Sequence, residues 1–198
     1  MVARLRGSEL RFATRPGVFS KKGLDSGSAL LINCVEVLEG TLIADLGCGT
    51  GVIGMACSKL DGRGRVHLLD DHLRAVELAR QNVALNHLAN TEVYLSDLFS
   101  AVDEIRYDQI VTNLPAQLGN EFLEEAVSAS FEHLRQGGTL WIVVVSNLRA
   151  VIERCLAASF VDFGVVARGA QHVVLRARKS SEHAGSRRQG ESAAVQHG

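Results

Sequence analysis

Apolar and polar positions along this 198-residue chain alternate between two rhythms. Short apolar runs closed by a polar residue suit strands, and most are followed by stretches whose apolar positions recur at helical spacing. The first run, 41–45, leads into a helix over 52–60 that Asp61-Gly62-Arg63-Gly64 stops. A second strand, 65–70, also ends in an acid. It precedes an amphipathic helix over 72–86 with Leu73, Val76, Leu78, Ala79, Val83 and Leu85 on its apolar side. The spacing predicts a third strand at 91–95, with Asp97 just past it, and a fourth at 107–112 ending at Asn113-Leu114-Pro115. A helix over 121–134 is stopped by Gln136-Gly137-Gly138, and the most apolar strand, 140–145, reads as buried and central. A helix over 148–158 follows. Two closing strands, 160–167 and 171–177, are joined by Arg168-Gly169-Ala170, a link short enough to force them antiparallel.

Strands alternating with helices imply an α/β fold: a seven-stranded, mostly parallel sheet with helices on both faces and a C-terminal antiparallel hairpin. Residues 1–27 are polar and dotted with glycine, with Pro16-Gly17 as a turn. Ser28 is placed to cap a short helix reaching about residue 38. The tail 180–198 lacks apolar periodicity and is expected to be disordered.

Chemistry concentrates in the stretch Ile43-Ala44-Asp45-Leu46-Gly47-Cys48-Gly49-Thr50-Gly51-Val52-Ile53-Gly54. An apolar run ends in Asp45, glycines alternate, and a helical pattern begins. Glycine permits positive φ and close approach of a ligand, while a helix start offers free N–H groups to a polar or anionic group. The order Asp-x-Gly-x-Gly-x-Gly differs from the G-x-G-x-x-G of dinucleotide folds. Ligands of open α/β sheets bind beyond the carboxyl ends of the strands. Asp45, Asp70, Asp97 and Asn113 all fall there. Any one alone reads as a cap or a solvated loop residue; together they outline an adenosine-shaped pocket, with Asp70 for ribose hydroxyls and Asp97 for an adenine amino group.

Composition narrows the partners. Net charge is −1 and the pI is near 6.7, so no global field draws the chain onto nucleic acid. The one uneven region is 1–22, where Arg4, Arg6, Arg11, Arg15, Lys21 and Lys22 face only Glu9 and read as a solvated terminal arm. Cys34, Cys48, Cys57 and Cys155 make no C-x-x-C pair and no metal-like cluster with histidine, so free thiols in a reducing cytoplasm are expected. The N-terminus lacks the apolar core expected of a signal peptide and no apolar run reaches spanning length, so a cytoplasmic protein is expected.

The motifs resemble those of class I S-adenosylmethionine-dependent methyltransferases, and more narrowly the methyltransferase small domain family, which includes ribosomal RNA guanine-N2 methyltransferases. The resemblance rests on Phe12-x-Thr14-x-Pro16-Gly17-Val18-Phe19-Ser20, Gly23-Leu24-Asp25-x-Gly27-Ser28, the Asp45–Gly51 turn, Ser96-Asp97-Leu98 and Asn113-x-Pro115. It covers roughly residues 10 to 178. It implies a Rossmann-like domain over 1–179 in which 1–27 covers the cofactor. It further implies that Gly17, Val18 and Phe19 lie against the cofactor and that Asp45, Gly47, Cys48, Gly49 and Gly51 hold its methionine part. Asp70 and Asp71 would take the ribose, and Asp97 and Leu98 the adenine. In that family an Asn-Pro-Pro-aromatic motif positions an amine. Here it reads Asn113-Leu114-Pro115-Ala116. By resemblance, Asn113, the Leu114 carbonyl and Pro115 are the catalytic positions, with Asn113 also bordering the cofactor. The missing ring at position 116 leaves an RNA base and a small-molecule amine both open as acceptors, with a catalytically silent binding or scaffold protein as the alternative. His172 stands out among the histidines for its place at the start of the last strand; His67 and Trp141 read as structural.

Overall fold

The computed structural model describes residues 2–13 and 24–180. Its main sheet has seven strands: β3 (Leu42–Leu46), β4 (Arg65–Asp70), β5 (Thr91–Leu95), β6 (Tyr107–Asn113), β7 (Leu134–Val145), β8 (Asp162–Arg168) and β9 (His172–Arg178). They lie in the order β5-β4-β3-β6-β7-β9-β8, with β9 running opposite to the other six. The alternation read from the sequence is therefore the one the sheet uses. Along β7, Leu140, Ile142 and Val144 enter one core cluster while Trp141 and Val143 enter the other.

Two helices pack on the first face, α4 (Gly119–His133) through Leu123 and Val127, and α5 (Arg149–Ser159) through Ile152 and Leu156. On the other face lie α1 (Ser26–Cys34) through Leu31 and Ile32, α2 (Val52–Leu60) through Ile53 and Met55, and α3 (Leu73–Leu85) through Ala79. The switch from one face to the other falls between β3 and β6, which is where such sheets open a crevice.

Several sequence expectations are corrected. The N-terminal arm is not merely solvated: β1 (Val2–Leu5) and β2 (Ser8–Arg11) form a hairpin that buries Leu5 and Leu10, with Phe12 buried just after it. Its two-residue turn, Arg6-Gly7, has positive φ at both positions, the geometry that matches strand twist. The helix expected from Ser28 to about residue 38 instead begins at Ser26 and ends at Cys34, because Asp25 caps it by accepting from the Ser28 N–H at 2.9 Å. The helix expected over 121–134 spans Gly119–His133, without waiting for the Gln136-Gly137-Gly138 stop. The chain then enters β7 directly, six positions earlier than its apolar run begins, through an irregular pairing beside Tyr107 and Gln109.

Asn82 on α3 and Asn86, the cap one turn later, tie the end of the hairpin and the chain just after it to the body. Asn86 accepts from the Arg11 N–H and donates to its carbonyl; Asn82 accepts from the Ala13 N–H and donates to the Thr50 carbonyl. Both asparagines are buried, so leaving these amides unpaired would be costly.

Candidate active site

The carboxyl ends of β5, β4, β3 and β6 stand side by side, which brings Asp97, Asp70, the glycine turn and Asn113 to one edge of the sheet. The turn is stitched to β4: the N–H groups of Gly47 and Cys48 both donate to the Leu69 carbonyl at 2.9 Å, and Gly51 N–H donates to the Cys48 carbonyl. Gly47, Gly49 and Gly51 all have positive φ, so side chains there would be strained.

The glycines nevertheless do two different jobs. A Cβ on Gly47 or Gly49 would meet nothing within 4 Å, so these residues face open space. A Cβ on Gly51 would lie 2.9 Å from Leu68, and one on Gly54 would lie 2.2 Å from Leu68. Those two let α2 pack closely on the sheet. The cradle available to a ligand is thus Gly47 to Gly49, with Gly51 beneath it.

Asp70 is buried, and each of its carboxyl oxygens takes one backbone N–H, from Gly49 at 2.8 Å and from His72 at 2.9 Å. A carboxylate has about four acceptor sites, so two remain after these bonds. Asp71, next along the chain, is exposed. Asp97 is exposed just past β5, and Leu98 beside it holds φ +47°, a left-handed conformation rare for leucine and often found at functional sites. The turn is held underneath by Ser96, whose hydroxyl donates to the Leu98 carbonyl and accepts from the Ala101 N–H.

Asp45 lies below the glycine turn and is fully enclosed. Its Oδ2 accepts from the Gly54 N–H in the first turn of α2 at 2.7 Å, whereas Oδ1 is buried without a partner among the described residues. Burial raises its pKa to about 7, opposed by the Gly54 bond and reinforced by the charge of Asp70. Cys48 is buried, and burial together with Asp45 and Asp70 holds its thiol well above the usual range. It is a small wall residue rather than a nucleophile.

Asn113 ends β6, paired with Val143. Its Nδ2 donates to Asp25 Oδ1 at 3.2 Å and to Ser28 Oγ at 3.1 Å, so the start of α1 borders the site. Leu114 is buried, its N–H donating to the Val143 carbonyl, and Pro115 continues in an extended conformation. His172 reaches the same region: its Nδ1 lies 3.2 Å from Ser26 Oγ, and a Cβ on Gly27 would stand 2.9 Å from its ring. Asp25 and Ser28 served in the sequence only as motif and cap signals. Gly17, Val18 and Phe19 lie outside the described residues.

The chain is 37% identical over 181 residues to Bacillus subtilis YbxB, covering 89% of each chain. It is 37% identical over 156 residues to the ribosomal RNA small subunit methyltransferase C of Haemophilus influenzae, covering 77% of this chain and 46% of the relative. Among solved structures, the T. thermophilus 16S rRNA N2 G1207 methyltransferase in complex with AdoMet and guanosine superimposes with a TM-score of 0.79 at 28% identity, covering 90% of this chain and 50% of that one. The chain therefore spans about half the length of the ribosomal RNA methyltransferases it matches. No helix among the described residues is long and apolar enough to cross a membrane. With the methyltransferase small domain matched over residues 9–176, and with the glycine turn, Asp70 and Asn113 assembled at one sheet edge, the chain belongs to the methyltransferase small domain family.

Proposed function

We propose that this chain is an S-adenosylmethionine-dependent N-methyltransferase acting on an exocyclic amino group of an RNA base. The observation that carries the reading is the open cradle over Gly47 and Gly49, flanked by buried Asp70 on one side and Asn113 on the other. The residues present suit the cofactor. The Gly47–Gly49 backbone would lie against its methionine part, the unused acceptor sites of Asp70 would take ribose hydroxyls, and the Asp97-Leu98 turn would border adenine. Asp71 would border the ribose, and Asp45, when ionised, would place negative charge beneath the cationic end. When bound, the cofactor supplies an electrophilic methyl group on a sulfonium sulfur.

The chain's own contribution is positioning. Asn113 Oδ1 and the Leu114 carbonyl would accept the two hydrogens of the acceptor amine, turning its lone pair toward the methyl group. As the nitrogen–methyl bond formed, the sulfur–methyl bond would break and leave a neutral thioether, and the amine proton would pass to solvent. Holding reactants in a near-attack geometry accounts for a large share of such a rate without a strong base. The RNA reading draws on the names of the relatives, which are ribosomal RNA methyltransferases over about half of their length. The four thiols, free in this structure, suit action in the cytoplasm.

Incubation with methyl-labelled S-adenosylmethionine against ribosomal subunits, bulk RNA and a metabolite extract tests the reading. Label is expected in RNA; label confined to small molecules, or no transfer at all, would overturn it. Binding to that RNA should weaken steeply between low and moderate salt, as phosphate contacts require. Asp70→Ala should weaken cofactor binding about tenfold or more, because it removes both the ribose acceptor and the anchor of Gly49. Unchanged affinity by titration calorimetry would remove Asp70 from the pocket.

A further inference from the structure

The mechanism requires Asn113 to accept hydrogen bonds, yet an amide side chain offers a donor as readily as an acceptor. Which end faces the acceptor depends on what holds the other. Two groups meet the amide on the side of α1: Asp25 Oδ1 at 3.2 Å and Ser28 Oγ at 3.1 Å. One is a carboxyl oxygen that already takes the Ser28 N–H at 2.9 Å, which fixes its orientation. A flipped amide would press Oδ1 against that oxygen, which can only accept, and forfeit the bond to Asp25; the Ser28 hydroxyl could donate to either end, so Asp25 sets the orientation and Ser28 follows it.

The anchor is itself well held. α1 sinks Leu31 and Ile32 fully into the core, and Ser28 is buried. Gly27 leaves room for the Asp25 carboxyl and the His172 ring, since a Cβ there would stand 3.0 Å from Asp25 Oδ1 and 2.9 Å from the ring. The Ser26 hydroxyl holds that ring at 3.2 Å.

We propose that Asp25 and Ser28 are positioning residues that lock the Asn113 amide by both of its hydrogens, so that only its oxygen is offered to the acceptor. This rests on the methyl-transfer reading above and sharpens it. A site presenting only acceptors selects nitrogens that carry hydrogens and rejects ring nitrogens that carry none. The helix cap and the selection of the acceptor are then one device, with Asp25 Oδ1 serving both.

Two measurements on the intact protein test this. In the cofactor-free protein, the side-chain amide signal of Asn113, identified by its loss in Asn113→Ala, should exchange with solvent slowly. Ser28→Ala should speed that exchange about tenfold while leaving the fold intact, since the cap bond comes from the Ser28 backbone. Exchange as fast as that of an exposed asparagine in the unaltered protein would overturn the proposal, whatever the substrate.

The second measurement is a charge-swap cycle on methyl transfer to small-subunit RNA. Asn113→Asp alone sets two carboxylates together and should lower kcat by about 100-fold, with Asp25→Asn lowering it by about tenfold. The double variant restores a donor facing an acceptor, and should recover at least about tenfold over Asn113→Asp with cofactor affinity unchanged throughout. A double variant no better than Asn113→Asp would overturn the proposal. Absence of transfer by the unaltered protein would instead refute the RNA reading and leave the exchange measurement to decide.

Discussion

Asn113→Ala is expected to reduce methyl transfer by about 10²–10³ in kcat while leaving cofactor affinity within about twofold, the size of loss that follows removal of one group aligned with a reacting centre. The split follows from the geometry. Asn113 ends β6 and is tied to α1 through Asp25 and Ser28, whereas the Gly47–Gly49 cradle is stitched to β4 through Leu69 and Asp70. Truncation thus leaves the cradle in place. The substitution leaves Asp25 and Ser28 still capping α1, so the folded structure should persist with a small loss of stability. Labelled transfer assays alongside calorimetric titration separate the two effects. Full activity in the variant would remove Asn113 from the reaction; equal loss of affinity would move it to the cofactor side.

Asp45→Asn should stabilise the cofactor-free protein at pH 8 while weakening cofactor binding. Burial raises the Asp45 pKa from an ordinary 3.8 to about 7 in the folded chain, so folding favours its protonated form. Below about pH 4 the carboxyl is neutral in both states and costs nothing. As pH climbs toward 7 the unfolded chain ionises first and stability falls, and above 7 the full penalty of about 4 kcal/mol applies. An asparagine retains an acceptor for the Gly54 N–H and removes the charge. Its amide hydrogens add a smaller cost, leaving a net gain of about 1–3 kcal/mol at pH 8. Thermal melts from pH 5 to pH 8 should show the wild-type protein losing stability relative to the variant as pH rises. A variant less stable at pH 8 would show that the buried charge is not the penalty. A buried carboxylate kept at such a cost fits a site whose ligand is cationic, where stability is traded for binding.

The hairpin at the N-terminus was hidden because Arg6-Gly7 is not a usual signal for a tight turn and its strands are short. Their apolar residues are few, and only docking on the α1 and α2 face makes them core. The sequence does not single out the cap of α1, because Asp25, Ser26 and Ser28 are all acceptable caps; the extended backbone at Asp25 and its bond from the Ser28 N–H choose it. In the glycine turn every glycine looks alike in sequence. Gly51 and Gly54 are distinguished from Gly47 and Gly49 only by Leu68, which arrives from the next strand.

By itself the sequence determined the strand and helix alternation, the parallel sheet with its closing hairpin, and the residues Asp45, Asp70, Asp97 and Asn113 at strand ends. Each depends on periodicity or on the run of residues immediately around it. The tertiary structure decided which of those groups face the cradle and which lie beneath it, and it joined Asp25 to Asn113 across 88 residues. No local pattern carries that pairing, because it is made by α1 packing across the edge where β6 ends. A hydrogen bond between distant residues exists only once the core has brought their backbones together.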